Sequence, residues 1–148
     1  MKNKTRNYQT VLLLILFFIL AGCSYDNSLA LYNDYAKEFN DTYFKVVKNI
    51  DVSNTLKSLK EIQTEENVKK IDKLGKLIDD LKENLPKGKE QSLNTLNERY
   101  EDLKFLKNSY IKFESLSVDD KIRINSIIIS IGLEKENWKD KHSTIIWD

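Results

Sequence analysis

The stretch from Leu29 to Ile50, LALYNDYAKEFNDTYFKVVKNI, decides the fold class. Its large apolar residues recur at alternating intervals of three and four positions, which places them along one face of an α-helix. The same spacing is that of a heptad seam, so the stripe predicts either the core side of a bundle or a coiled coil with another chain. The stripe consists of Leu29, Tyr32, Ala36, Phe39, Tyr43, Val46 and Ile50.

Two further helices are predicted after a break at residues 51–54. Ser53 or Asn54 can cap a short helix, and Thr64 can cap the longer one that follows. Pro86 ends the longer helix, because a residue that precedes proline is disfavoured in the helical conformation. The apolar positions are Leu56, Leu59 and Ile62 in the short helix and Ile71, Leu74, Ile78, Leu81 and Leu85 in the longer one.

A fourth long stripe follows the polar turn from Pro86 to Lys89. Helices of about 22 residues extend roughly 33 Å, and a turn this short makes neighbouring helices antiparallel. The fourth stripe consists of Leu93, Leu96, Tyr100, Leu103, Leu106, Tyr110 and Phe113.

The segment after Ser117 allows two interpretations. Ser117 followed by two aspartates is typical of a helix start, whereas the run Ile127 to Ile131 is β-branched enough for a strand. Only residues 143–147 offer a second strand-like run, so we predict a helix in which Gly132 is a candidate kink. The apolar residues of this segment are Ile122, Ile124, Ile127, Ile128, Ile129, Ile131 and Trp138.

The predicted fold is therefore all-α, an antiparallel up-down helical bundle of about four main helices. The chain has 148 residues, the length of one ordinary domain, and only 4 Gly and 1 Pro, which is few for a loop-rich or β protein. We assign the bundle domain to residues 29–148.

The N-terminus has the layout of a secretory signal peptide. Residues 1–9 carry three basic and no acidic side chains, and residues 11–20 are an unbroken apolar run that is too short to span a bilayer stably. The run ends in Leu20-Ala21-Gly22-Cys23, a large apolar residue, two small ones and a cysteine. This sequence resembles the lipobox of bacterial lipoproteins.

The resemblance implies that residues 1–22 are removed by cleavage between Gly22 and Cys23. A diacylglycerol is then attached to Cys23, and a further acyl chain such as palmitate can be added to the new amine. Two chains on one residue make a stable anchor, because each buried CH₂ contributes about 0.8 kcal/mol. The alternative is a free or buried cysteine after an uncleaved signal anchor.

The lipidated cysteine and a short tether would occupy residues 23–28, and the residues between the lipid and the first helix, 24–27 or so, span roughly 15 Å when extended. The predicted location is the extracytoplasmic face of the cell membrane, or the outer membrane in a cell that has two. The domain should therefore lie close to the bilayer surface.

The charge balance argues against nucleic-acid partners. Residues 1–22 carry three of the 24 basic residues and no acidic one, so the remainder has 21 basic and 23 acidic residues and a net charge of −2. Nucleic-acid binding depends on an excess of Lys and Arg.

Catalytic and metal chemistry is not expected. His142 is the only histidine and Cys23 the only cysteine, which is too few for the usual zinc sites or for a plausible catalytic triad. Carboxylate pairs such as Glu65-Glu66 and Asp119-Asp120 are more simply helix starts or solvated faces. We predict no enzyme activity, no metal and no cofactor other than the covalent lipid.

Four aromatic residues fall outside the stripes and are candidates for binding a partner: Tyr35, Phe44, Phe105 and Trp147. The first two can equally flank a wide core stripe, and Trp147 can pack back onto the helices. The predicted function is a membrane-anchored, non-catalytic protein-binding module, including exclusion of or immunity to an incoming phage, conjugation machine or toxin. The alternative is a structural or accessory subunit of an envelope complex, and self-association remains open.

Overall fold

The computed structural model describes residues 27–143, with side chains for residues 27–138. These residues form an all-α antiparallel bundle of four long helices and one short one, which confirms the predicted fold class. The helices are α1 (27–47), α2 (Thr55–Ile62), α3 (Glu65–Glu83), α4 (Glu90–Ser109) and α5 (Val118–Ser143), with a 3₁₀ helix at Tyr110–Ser115 between α4 and α5.

Three of the helices begin at the polar residues that the sequence indicated. The side-chain oxygens of Asn54, Thr64 and Ser117 accept hydrogen bonds from the backbone N–H three residues later, at 3.0, 3.4 and 3.1 Å. Each bond satisfies one of the N–H groups that a helix start leaves without an internal partner. Asn54, rather than Ser53, therefore caps α2.

The core lies along the centre of the bundle and is formed by the predicted stripes. Tyr32, Phe39 and Val46 of α1 are almost completely buried. The stripe leucines and isoleucines within α3 and α4 are buried with them. Leu85, which the pattern assigned to the same helix as Leu81, lies after the end of α3 and is only partly covered. At one end of the bundle the Tyr32 hydroxyl donates to the Lys89 carbonyl at 3.4 Å, which joins the start of α1 to the turn before α4.

Helix α4 is shorter than its stripe. The stripe extends to Phe113, but α4 ends at Ser109 and the chain tightens into a 3₁₀ helix that carries Tyr110 and Phe113. Short 3₁₀ turns commonly end α-helices. The Ser109 hydroxyl donates to the Phe105 carbonyl at 2.7 Å in the last turn before the change.

Residues 127–131 are helical, as predicted, and no strand occurs between residues 27 and 143. Ile127, Ile128 and Ile131 face the core. Helix α5 runs without interruption through Gly132. Gly132 instead allows the close approach of Val52, because a Cβ at position 132 would collide with Val52 Cγ1.

Several apolar residues that the pattern assigned to the stripes lie on the surface. Leu56 of α2 is 49% exposed, and Ile122 and Ile129 of α5 are 58% and 55% exposed. Helix α5 carries isoleucines on both sides, so its sequence alone does not indicate which side meets the core.

Candidate functional site

A polar cluster connects α1, α4 and α5 at the side of the core. The Tyr43 hydroxyl donates to Glu134 Oε2 at 2.8 Å, and Arg99 Nε donates to Glu134 Oε1 at 3.2 Å. Arg99 Nη1 also donates to Asn40 Oδ1 at 2.9 Å. The three helices are thus joined by one hydrogen-bonded chain of four side chains.

Burial controls the chemistry of Tyr43 in this cluster. Its side chain is 2% exposed, and burial, followed by the nearby Glu134 carboxylate, raises the pKa of the phenol far above its usual value. The Tyr43 hydroxyl therefore stays protonated, and remains a hydrogen-bond donor, even at an alkaline pH at which an exposed tyrosine ionises. The Arg99 guanidinium lies 5.3 Å from the centre of the Tyr43 ring, which adds a cation–π contact.

An aromatic pair lies beside the polar cluster. The rings of Phe44 and Trp138 stack with centroids 4.0 Å apart at an interplanar angle of 22°, and the Phe44 ring meets the edge of Tyr43 at 5.2 Å. Both rings of the stacked pair are partly exposed. Consecutive residues of α1 thus serve different purposes, since Tyr43 points into the core and Phe44 to its margin.

Two open pockets flank the Phe44–Trp138 pair. One, of about 360 Å³, is lined by the aromatic pair together with Asn40, Arg99, Glu134 and Asn137. The other, of about 390 Å³, is lined by the pair together with Asp41, Lys45 and Lys48. The first pocket combines an apolar wall with amide, guanidinium and carboxylate groups, an arrangement suited to binding a polar surface that carries an apolar side chain.

Three of the four predicted aromatic candidates lie within the described residues. Tyr35, Phe44 and Phe105 are all partly buried and pack against the core. Phe105 is covered by the guanidinium of Arg123, whose Cζ lies 4.0 Å from the ring centre. Among the three, only Phe44 lines the pockets beside Trp138.

Other predicted site residues fall outside the described part. Gly22, Cys23 and Trp147 lie beyond residues 27–143, and His142 lies in the last turn of α5, where the side chain is not described. Lipidation, cleavage and the role of Trp147 therefore stay predictions.

The paired carboxylates lie at helix starts. Glu65 and Glu66 occupy the first turn of α3 and form ion pairs with Lys69 and Lys70, four residues later. The hydrogen bond from Lys70 and its charge lower the pKa of Glu66. Asp119 and Asp120 occupy the first turn of α5, where acidic side chains interact favourably with the positive end of the helix dipole.

The described residues contain neither a metal-binding cluster nor a membrane-spanning helix. Between residues 27 and 138, where side chains are described, no three His, Cys, Asp or Glu side chains come close enough together to hold a metal ion. In the same part of the chain, no helix combines the length and the apolar character that a bilayer crossing requires.

Sequence patterns missed most of the polar cluster. Arg99 and Glu134 are 35 residues apart, and Tyr43 and Glu134 are 91 apart, so no local periodicity connects them. The sequence did indicate Phe44 as a candidate for binding a partner, and it assigned Trp138 to the apolar residues of α5, but it did not indicate that the two rings stack.

Comparison of the chain with protein-family models, with curated proteins and with solved structures finds no match. Any assignment of function therefore rests on the chain's own residues.

Proposed function

We propose that this protein is a membrane-anchored envelope lipoprotein that acts as a non-catalytic protein-binding module close to the membrane surface. The observation that carries the proposal is the lipobox, Leu20-Ala21-Gly22-Cys23, directly after a basic region and a short apolar run. Lipid on Cys23 would hold the bundle at the extracytoplasmic face.

The site beside Phe44 and Trp138 is the proposed contact for a protein partner. Trp and Arg are the residue types most enriched among those that dominate binding energy at protein interfaces, and both line this pocket. The hydrogen bonds to Glu134 and Asn40 hold Arg99 in place before a partner arrives, which reduces the side-chain entropy lost on binding.

The position of the site along α1 limits where its partner lies. Phe44 is 17 residues after Asn27, the first described residue of α1, a rise of roughly 25 Å along the helix axis. With a short tether, the site stays within a few tens of Å of the bilayer. The partner is then another envelope protein, or the component of an incoming phage, conjugation machine or toxin that reaches the membrane.

Photo-crosslinking in the native host tests this proposal. A photoreactive amino acid replaces the exposed Asn137 at the pocket rim, and a matched control replaces the exposed Asn94 of α4. Cells are irradiated with and without challenge by phage or conjugative donors, and adducts are identified by mass spectrometry. We expect one envelope or incoming protein to be captured from position 137 and not from position 94.

Two variants make the test specific. Cys23→Ala should abolish the adduct by removing the anchor, and Trp138→Ala should reduce it by removing half of the stacked pair. Phe113→Ala, which also shortens a partly buried aromatic side chain outside this site, should leave it unchanged. The proposal is wrong if no adduct depends on Cys23 and Trp138 in any of the conditions.

A further inference from the structure

The middle of α5 is unusual for this chain because it carries no charge. Residues 124–133, INSIIISIGL, contain no Asp, Glu, Lys or Arg, although 32% of the whole chain is charged. Ten residues cover nearly three turns of helix, so the segment is uncharged on every side. Charged residues are normally placed on the solvent side of a surface helix.

The uncharged segment is buried on one side only. Ile124, Ile127, Ile128 and Ile131 are between 0% and 6% exposed and face the core. The opposite side presents a second apolar stripe, which comprises Val118 (74% exposed), Ile122 (58%), Ile129 (55%) and Leu133 (65%). We call these four residues, with Val52, the outer face of α5.

Val52 widens this face from the side. The Thr55 hydroxyl donates to Asn125 Oδ1 at 2.7 Å, which fixes the start of α2 beside the middle of α5. Val52 packs against Gly132 and lines an open pocket of about 560 Å³ together with Ile129 and Leu133. The Val52 side chain is 54% exposed there.

We propose that the outer face of α5 binds a second copy of this chain in an antiparallel, two-fold symmetric pair. The spacing of the stripe is palindromic about the point between Asn125 and Ser126. A two-fold axis at that point places Val118 against the partner's Leu133, and Ile122 against the partner's Ile129. Small polar side chains then meet at the centre, where they fix the register.

The arrangement agrees with the general features of homodimer interfaces. A two-fold interface uses one self-complementary patch, and its centre is depleted in charge. The stripe from Val118 to Leu133 covers 16 residues of α5, a rise of roughly 22 Å. Exposed apolar patches on monomers reach about 300–600 Å², and a standard interface buries about 800 Å² per partner, so a face of five large aliphatic side chains corresponds to a dimer of modest strength.

Cysteine crosslinking in the full chain tests the pair directly. A residue beside a two-fold axis lies close to its own copy, so Ser126→Cys should react with itself through a short bismaleimide reagent. Ser92→Cys, which is also exposed but lies on α4, is the matched control. The parent chain, whose only cysteine is Cys23, is a second control that measures any crosslink through that residue. We expect at least about tenfold more dimer from Ser126→Cys than from either control.

A second substitution shows whether the stripe is responsible. Ile129→Lys, added to Ser126→Cys, should lower the dimer yield about tenfold, because it buries a charge at the contact. Leu31→Lys changes a side chain of similar exposure on α1 and should leave the yield unchanged. Both lysines lie on the surface, and circular dichroism would verify that each variant is folded.

Three outcomes overturn the proposal. The first is equal crosslinking from Ser126→Cys and Ser92→Cys, and the second is a dimer that Ile129→Lys does not weaken. The third is a crosslink from Ser126→Cys to a different protein in place of a second copy, which assigns the outer face to another partner. Comparison with the parent chain separates each of these results from a crosslink through an unlipidated Cys23.

Discussion

Tyr43 and Glu134 show how single side chains join the helices of this bundle. A buried hydroxyl without a partner costs free energy, and Glu134 removes that cost by accepting the Tyr43 hydrogen bond at 2.8 Å. Arg99 approaches the same carboxylate from α4, so the three side chains depend on one another. Their sequence separations are large, which is why the fold had to be known before the cluster could be identified.

Tyr43→Phe should destabilise the protein by about 1 kcal/mol, because it removes the hydrogen bond while keeping the ring and its packing. Tyr35→Phe removes a hydroxyl from another partly buried tyrosine of α1 and should change the free energy of unfolding by less than about 0.5 kcal/mol. Urea denaturation followed by circular dichroism measures both. Equal effects of the two substitutions would contradict the role assigned to the Glu134 contact.

The raised pKa of Asp102 in α4 leads us to expect that its contribution to folding stability decreases as the pH rises. Burial raises its pKa, although Arg123, with Nη2 4.0 Å away, lowers it in part. The folded state therefore favours the protonated acid, and the stability that this contributes is lost as the pH rises through the raised pKa. Asp102→Asn should then raise the melting temperature at neutral pH, and the gain should vanish at about pH 3, where the acid is largely protonated in both states.

Thermal unfolding at the two pH values measures this effect, with Asp34→Asn on the exposed side of α1 as the control. A lower melting temperature for Asp102→Asn at neutral pH would mean that the Arg123 contact outweighs the cost of burial.

At the scale of elements, the predictable and unpredictable parts of the fold have distinct physical causes. Stripes of period 3.6 and polar caps are local, so α1, α3 and α4 and the caps Thr64 and Ser117 followed from the sequence. Helix α5 is apolar on two sides, and the pattern could not indicate which side is buried. The candidate site was harder still, because it needs Phe44 and Trp138 from different helices.

Gly132 provides a prediction for the packing of α5 against the loop before α2. Gly132→Ala alone should either leave the stability of the protein nearly unchanged or lower it, because the new Cβ would collide with Val52 Cγ1. In a Val52→Ala background the nearest remaining Val52 atom is Cβ, 3.7 Å away. The same substitution should there show the helix-propensity gain of about 1 kcal/mol.

A double-mutant cycle in urea measures the coupling between positions 52 and 132. Additive effects of the two substitutions would show that Val52 does not restrict position 132.

At the scale of the whole molecule, we propose a compact bundle held by a short lipid tether. Helix α1 rises roughly 30 Å over 27–47, so the bundle is only a few nanometres long. The proposed partner site beside Trp138 and the outer face of α5 use different surfaces of α5. A dimer through the outer face would leave the partner site open on each copy.

The central claim is that Cys23 carries lipid and holds the bundle at the membrane. Cys23→Ala should prevent lipidation and so remove the lipid anchor that holds the protein at the membrane. Metabolic labelling with a fatty-acid analogue should mark the parent chain but not the variant. The physical reason is that the two or three acyl chains supply the anchoring free energy, at about 0.8 kcal/mol for each buried CH₂.

Mass spectrometry of the N-terminal peptide, purified from host membranes, tests this claim most directly. We expect the peptide to begin at Cys23, to lack residues 1–22 and to carry the added mass of a diacylglycerol. A peptide that retains residues before Cys23, or that begins at Cys23 with an unmodified thiol, would contradict it.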